Sequence, residues 1–127
     1  MLVSIMTCCK WRLIGLLGVR ARGVSFTPSR PGDGKYSDTA LVGVRLEVTD
    51  RDAYDPAATA VHLLSAVRRR HPDEFGWVPK HFDRLAGTTE LREAIEAGVD
   101  EETIVRGWEP ARREFLERRR GVLLYPE

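Results

Sequence analysis

Residues Leu41–Asp50 read LVGVRLEVTD, and this stretch decides the fold class. Val42, Val44, Leu46 and Val48 alternate with Gly43, Arg45, Glu47 and Thr49. In an extended chain successive side chains point to opposite faces, so an apolar period of two marks a strand. Valine dominates the apolar set, and β-branched side chains suit a pleated, half-buried surface. One apolar and one polar face predict a sheet covered on one side only.

Downstream, the period lengthens to that of a helix. Asp50–Tyr54 reads as a turn, and Asp55-Pro56 as a helix start. Aspartate accepts hydrogen bonds from free N–H groups, and proline at the first helical position loses none. Ala60, Val61, Leu63, Leu64 and Val67 then fall on one stripe. The helix should end in Arg68-Arg69-Arg70-His71, where cations suit the negative end of the helix dipole, and Pro72 should stop it. Residues 72–87 read as irregular, with the aromatics Phe75, Trp77 and Phe82. Thr88 is the expected cap of a short helix over 90–97, with Leu91 and Ile95 on its buried face and Gly98 as its left-handed stop. Asp100 should cap the last helix, in which Ile104, Trp108, Ala111 and Phe115 recur at helical spacing and face inward. Pro110 interrupts that pattern and should kink or split the helix. Gly121 is its expected end, and Val122–Tyr125 a short apolar run able to return as a strand.

Upstream, residues 23–40 (GVSFTPSRPGDGKYSDTA) have the composition of an extended loop, and residues 1–22 show no clear period. The expected fold is therefore a small α+β domain, with two or three strands packed against about three helices.

The bulk numbers suit one ordinary globular domain. At 127 residues the chain can bury about 65–70% of its unfolded surface. It is 43% hydrophobic and 31% charged, which is neither a disordered nor a membrane composition. The net charge of +1 exerts no general pull toward nucleic acid or membrane. Arg68–Arg70 and Arg118–Arg120, the basic clusters, sit at helix C-termini where cations are favourable anyway, so no nucleic acid is expected as a partner. No run approaches the roughly 20 apolar residues of a membrane span. Cys8 and Cys9 are adjacent and poorly placed to bridge, and neither they nor His62, His71 and His81 have metal-ligand spacing. No cofactor and no metal are expected. Lys10 and Arg12 ahead of Leu13–Val19 faintly resemble a signal peptide, but Arg20 and Arg22 follow in place of a small-residue cleavage site.

Several segments, in order, resemble one family. Phe26-Thr27-Pro28, Lys35-Tyr36 and Gly43–Asp50 are followed by a helix, then by Phe75-Gly76-Trp77, Asp83–Arg92, Trp108 and Leu123-Leu124-Tyr125. Over residues 19–127 this order is similar to the C-terminal domain of the NamZ-type exo-β-N-acetylmuramidases. Residues 1–18 are unmatched and read as a disordered or misread N-terminus. The resemblance implies a bacterial glycoside hydrolase that releases terminal N-acetylmuramic acid from peptidoglycan fragments during cell-wall turnover. It implies a Rossmann-like catalytic domain N-terminal to the present domain, with the active site beside the cleft between them. On this reading the chain is a fragment without catalytic residues of its own. Its partners would be that catalytic domain and muramyl sugars. The resemblance is compatible with a cytoplasmic or an exported protein.

Glycoside hydrolysis needs two carboxyl groups across the scissile bond, about 5–9.5 Å apart. Asp83 lies among apolar residues, where a carboxyl could act as an acid of raised pKa, but the simpler reading is that it accepts backbone N–H bonds or pairs with Arg92, since buried charges are normally paired. Asp50 and Asp55 read as turn and cap. Lys35 and Tyr36, flanked by Asp33 and Asp38 in the loop before the strand, are the candidate substrate-binding residues, with tyrosine stacking on the apolar face of a sugar and lysine pairing with the lactyl carboxylate of muramic acid; the plainer alternative is a solvated Gly/Asp turn. Two alternatives stand beside the accessory-domain reading, a stand-alone binding or interaction module and a truncated gene product without activity. A surface built to face another domain should be apolar over a few hundred Å2 or more, so the isolated chain is expected to self-associate.

Overall fold

A computed structural model describes residues 16–125 of the chain. Cys8, Cys9 and the signal-peptide-like stretch up to Gly15 lie outside the described residues. The chain divides into two compact units, Met1–Asp55 and Pro56–Glu127.

The first unit is a hairpin of β1 (Val19–Phe26) and β2 (Leu41–Val48). The strands pair antiparallel from Val19↔Val48 to Phe26↔Leu41. β2 is the strand read from LVGVRLEV. β1 was expected to be aperiodic chain running into loop, and its register explains why. Val19 and Ala21 share a face with Val42, Val44, Leu46 and Val48, whereas Val24 and Phe26 lie on the opposite face. The apolar side thus switches at Gly23, and the period of two breaks. The second face is consequently not uniformly polar. Its base carries Arg20, Arg22, Arg45 and Glu47, with an Arg22–Glu47 ion pair at 3.1 Å. Its loop end carries Val24, Phe26 and Leu41. The Phe26 ring lies over Gly43, where a Cβ would sit 3.1 Å from it, so the aromatic fills the place of the missing side chain. At the base, the Gly18 carbonyl accepts the N–H groups of Thr49 (2.8 Å) and Asp50 (3.3 Å). The Asp50 carboxylate accepts those of Asp52 and Ala53, forming the expected turn.

The second unit is helical: α1 (Pro56–Arg70), α2 (Pro79–Ala86), α3 (Glu90–Glu96), α4 (Glu101–Gly107) and α5 (Glu109–Arg119), then a 3-10 turn η1 (Arg120–Val122). α1 ends in the three arginines as expected. α2 was expected as irregular chain; Pro79 opens it and Gly87, at φ 77°, closes it. Gly98, at φ 73°, follows α3 as expected. Asp100 caps α4, accepting the Thr103 N–H at 3.0 Å. Pro110 splits the last helical pattern, since α5 restarts at Glu109 with the proline in its first turn.

The core consists of Val61 (α1), Ile95 (α3) and Ile104 (α4), with Leu64, Trp77, Leu91, Ala94 and Val105 packed around it. Trp77 stands edge-on to Phe75 (4.8 Å) and tilted against Phe82 (4.5 Å). Arg69 pairs with the buried Glu101, and Arg68 donates to the Glu96 carbonyl at 3.2 Å, fastening α1 to α4 and to the end of α3.

Three further expectations are corrected. Trp108 and Phe115 do not turn inward: both are exposed, Trp108 at the break between α4 and α5 and Phe115 within α5, none of whose residues is buried. Gly121 does not end the helix; it lies inside η1, whose tighter turn continues the chain directly from α5. Val122–Tyr125 forms no third strand, and the sheet among the described residues has two.

Candidate functional site

Residues 27–40 join β1 to β2, and they carry Lys35 and Tyr36. The loop is closed at its base by the Asp38 N–H, which donates to the Pro28 carbonyl at 2.8 Å. Inside that closure the Gly34 N–H donates to the Pro31 carbonyl (3.0 Å), and the Thr39 N–H to the Tyr36 carbonyl (3.1 Å). The Lys35 N–H donates to the Asp33 carboxylate at 3.1 Å, a turn of the kind aspartate favours. The Ser37 hydroxyl donates to the Asp38 carboxylate at 3.1 Å. The Gly/Pro/Asp composition is therefore that of a loop whose backbone is held at several points, with its ends drawn together.

Three residues of this loop other than glycine adopt positive φ: Arg30 (49°), Tyr36 (56°) and Asp38 (55°). Aspartate tolerates this region through local hydrogen bonds, but a bulky aromatic does not. Such strain persists only where the surrounding structure over-determines it, and it gathers at functional sites. At Tyr36 the left-handed turn presents a ring that is 65% exposed. Lys35 is exposed beside it. Neighbouring positions on a tight loop thus offer an aromatic face and an ammonium group. The sequence pointed to this pair by residue type; the closure between Pro28 and Asp38 left no local signal.

The other group singled out in the sequence is differently employed. Arg92 reaches Asp83 through two parallel bonds, Nε to Oδ1 at 2.9 Å and Nη2 to Oδ2 at 3.0 Å. Its remaining nitrogen donates to Glu96 at 3.1 Å. Both side chains of the Asp83–Arg92 pair are largely buried. The hydrogen bond to Asp83, reinforced by the charges of Asp83, Glu96 and Glu93, raises the Arg92 pKa above its ordinary value against the opposing effect of desolvation. This fork joins α2 to α3, and of the two partners the sequence offers Asp83, backbone N–H groups or Arg92, it is Arg92 that the structure supplies. His62 is half-buried on α1, His71 lies 4.0 Å from Glu74, and His81 lies 3.3 Å from Arg84. Among the described residues no group of three or more His, Cys, Asp or Glu side chains is placed to hold a metal ion, and no helix is long and apolar enough to cross a membrane.

Comparison with known proteins gives this fold its relatives. The family profile described as "Exo-beta-N-acetylmuramidase NamZ, C-terminal" matches residues 8–125. The chain is 33% identical over 111 residues to the peptidoglycan beta-N-acetylmuramidase NamZ of Bacillus subtilis (strain 168). That alignment takes in 87% of this chain but 26% of the relative, so the chain spans about a quarter of the length of the protein it matches. No solved structure matches the chain. The chain belongs to the NamZ C-terminal domain family.

Proposed function

We propose that this chain is the non-catalytic C-terminal domain of a peptidoglycan exo-β-N-acetylmuramidase, taking up residues 19–127. It lines the substrate cleft and stabilises a Rossmann-like catalytic domain that precedes it. The observation that carries this reading is the match itself: a C-terminal family profile over nearly the whole chain, and a named muramidase of which the chain spans a quarter. The state of the acids supports the non-catalytic part. Asp83 is held in the Arg92 fork, and Asp50 and Asp100 are engaged by backbone N–H groups.

Within this reading Lys35 and Tyr36 contact the muramyl sugar. The Tyr36 ring stacks on its apolar face, and the Lys35 ammonium pairs with the lactyl carboxylate. The exposed ring on a strained, hydrogen-bonded loop supports this assignment, because a pre-set side chain loses little freedom on binding.

The test replaces the C-terminal region of the Bacillus subtilis relative with this chain and follows hydrolysis of a chromogenic muramide. The 127-residue chain alone should show no turnover and the fusion should show it. Tyr36→Ala and Lys35→Ala should each lower kcat/KM of the fusion by about tenfold, or ~1.4 kcal/mol of transition-state stabilisation. Turnover by the isolated chain would overturn the non-catalytic reading. Unchanged kinetics in both variants would remove Lys35 and Tyr36 from the site.

A further inference from the structure

The last helix and the chain that follows it carry large apolar side chains that are exposed. Trp108 stands at the break between α4 and α5, Phe115 lies within α5 and Val122 ends η1. They are 38%, 56% and 77% exposed. Leu123, Leu124 and Tyr125 follow η1 and are exposed as well. Apart from Pro110, Ala111, Phe115 and the half-buried Leu116, α5 is charged. Glu109 pairs with Arg112 (3.5 Å) and Arg113 (3.1 Å), and Glu114 with Arg118 (3.8 Å). No residue of α5 is buried.

An isolated helix of this length is marginal in water, and most helices draw their stability from packing an apolar face. Exposed apolar residues are unremarkable one at a time, but Trp108, Phe115 and Val122–Tyr125 gathered in one terminal segment mark an interaction surface.

The lengths of the proteins identify the occupant. The family profile is C-terminal, and the relative is aligned over 26% of its length. In that relative a polypeptide about three times the size of this domain therefore precedes it. A neighbour tethered in the same chain has a high effective concentration and needs no great affinity to seat on such a surface. We propose that Trp108, Phe115 and Val122, continued by Leu123–Tyr125, form the surface by which this domain docks on the N-terminal portion of the same enzyme. The proposal rests on the accessory-domain reading above and adds the place of contact.

The test compares amide hydrogen exchange of α5 in the free 127-residue chain and in the fusion that carries this chain behind the N-terminal portion of the Bacillus subtilis relative. Exchange over α5 and η1 should slow at least tenfold in the fusion. Phe115→Glu should return it to the rate of the free chain. Glu114→Gln, at a charged position of α5, should leave the slowing intact. Phe115 lies outside the core, so far-UV circular dichroism should show both variants folded. Exchange equally fast in the two proteins would overturn the proposal. So would protection of α5 in the fusion that grows with protein concentration, which would give the surface to a second copy. The muramide assay separates the two readings: an active fusion with unprotected α5 refutes the docking surface alone, and a protected α5 in an inactive fusion supports docking while refuting the accessory role in hydrolysis.

Discussion

Replacement of Ile95 by alanine tests the helical unit at its centre. Ile95 is 3% exposed and packs with Val61 and Ile104 where α1, α3 and α4 meet. The substitution removes three carbons from an apolar site, worth about 0.8 kcal/mol each in transfer, or about 2.4 kcal/mol. The vacated space, roughly 65 Å3, adds about 1.5 kcal/mol at about 24 cal/mol per Å3 if nothing moves. Leu64 and Leu91 border the site, are only partly buried and can relax into it, so the expected loss is about 3–4 kcal/mol. A unit of this size has a total stability of about 4–11 kcal/mol, so the variant should retain little of it. Urea unfolding followed by far-UV circular dichroism reads the effect as a fall in midpoint at unchanged slope. Ile95→Val, which leaves most of the volume, should cost about 0.5–1.5 kcal/mol. A loss below about 1 kcal/mol for Ile95→Ala would show that the three-helix junction is not the core, and the packing argument would fail with it.

Other substitutions probe the remaining elements. Gly18→Ala should destabilise the hairpin unit by more than the roughly 1–2 kcal/mol of a left-handed residue, because Gly18 sits at φ 73° and a Cβ there would lie 2.4 Å from the Asp50 carbonyl oxygen; chemical denaturation compared with Gly32→Ala, which meets nothing, checks it. Tyr36→Gly should stabilise the same unit by about 0.5–1 kcal/mol, since relief of about 1–2 kcal/mol of left-handed strain exceeds the ~0.5–1 kcal/mol entropic cost of glycine, and it should lower activity of the fusion; a less stable variant in thermal melts would show that the loop does not hold Tyr36 under strain. Asp100→Ala removes the cap of α4 and should cost about 1 kcal/mol in the same urea experiment, with Asp100→Asn losing much less.

The elements legible in the sequence were those with one uninterrupted signal. β2 alternates cleanly, α1 has a proline start and an arginine end, and Asp100 and Gly98 bracket the turn into α4. β1 was not legible because its apolar side changes at Gly23, and only pairing with β2 shows that Val19 and Ala21 belong to one face and Val24 and Phe26 to the other. α2 carried its signals, Pro79 at the start and Gly87 at the stop. They are set so close together, though, that residues 72–87 read as irregular chain. The seven-residue spacing of Trp108 and Phe115, on either side of Pro110, suggests burial, yet both are exposed. Periodicity establishes that side chains share a face and says nothing about whether this chain itself covers that face.

That distinction also governs the candidate site. A core position is determined by contacts inside the chain, so Val61, Ile95 and Ile104 can be read from spacing and then found buried together. A residue that serves a neighbour has no such internal counterpart. Lys35 and Tyr36 stand out by residue type and by the family resemblance, and what the structure adds is the backbone beneath them: the closure of the loop by Asp38 on Pro28 and a left-handed tyrosine. Strain of this kind in an exposed loop costs stability and gains nothing within the hairpin, and the exposed apolar residues of the terminal segment likewise gain nothing within the helical unit. Two independent features of a domain with so small a core thus forgo stability internally. Both are accounted for if the domain works against a larger neighbour in the same polypeptide, one feature meeting the sugar and the other meeting the protein that cleaves it.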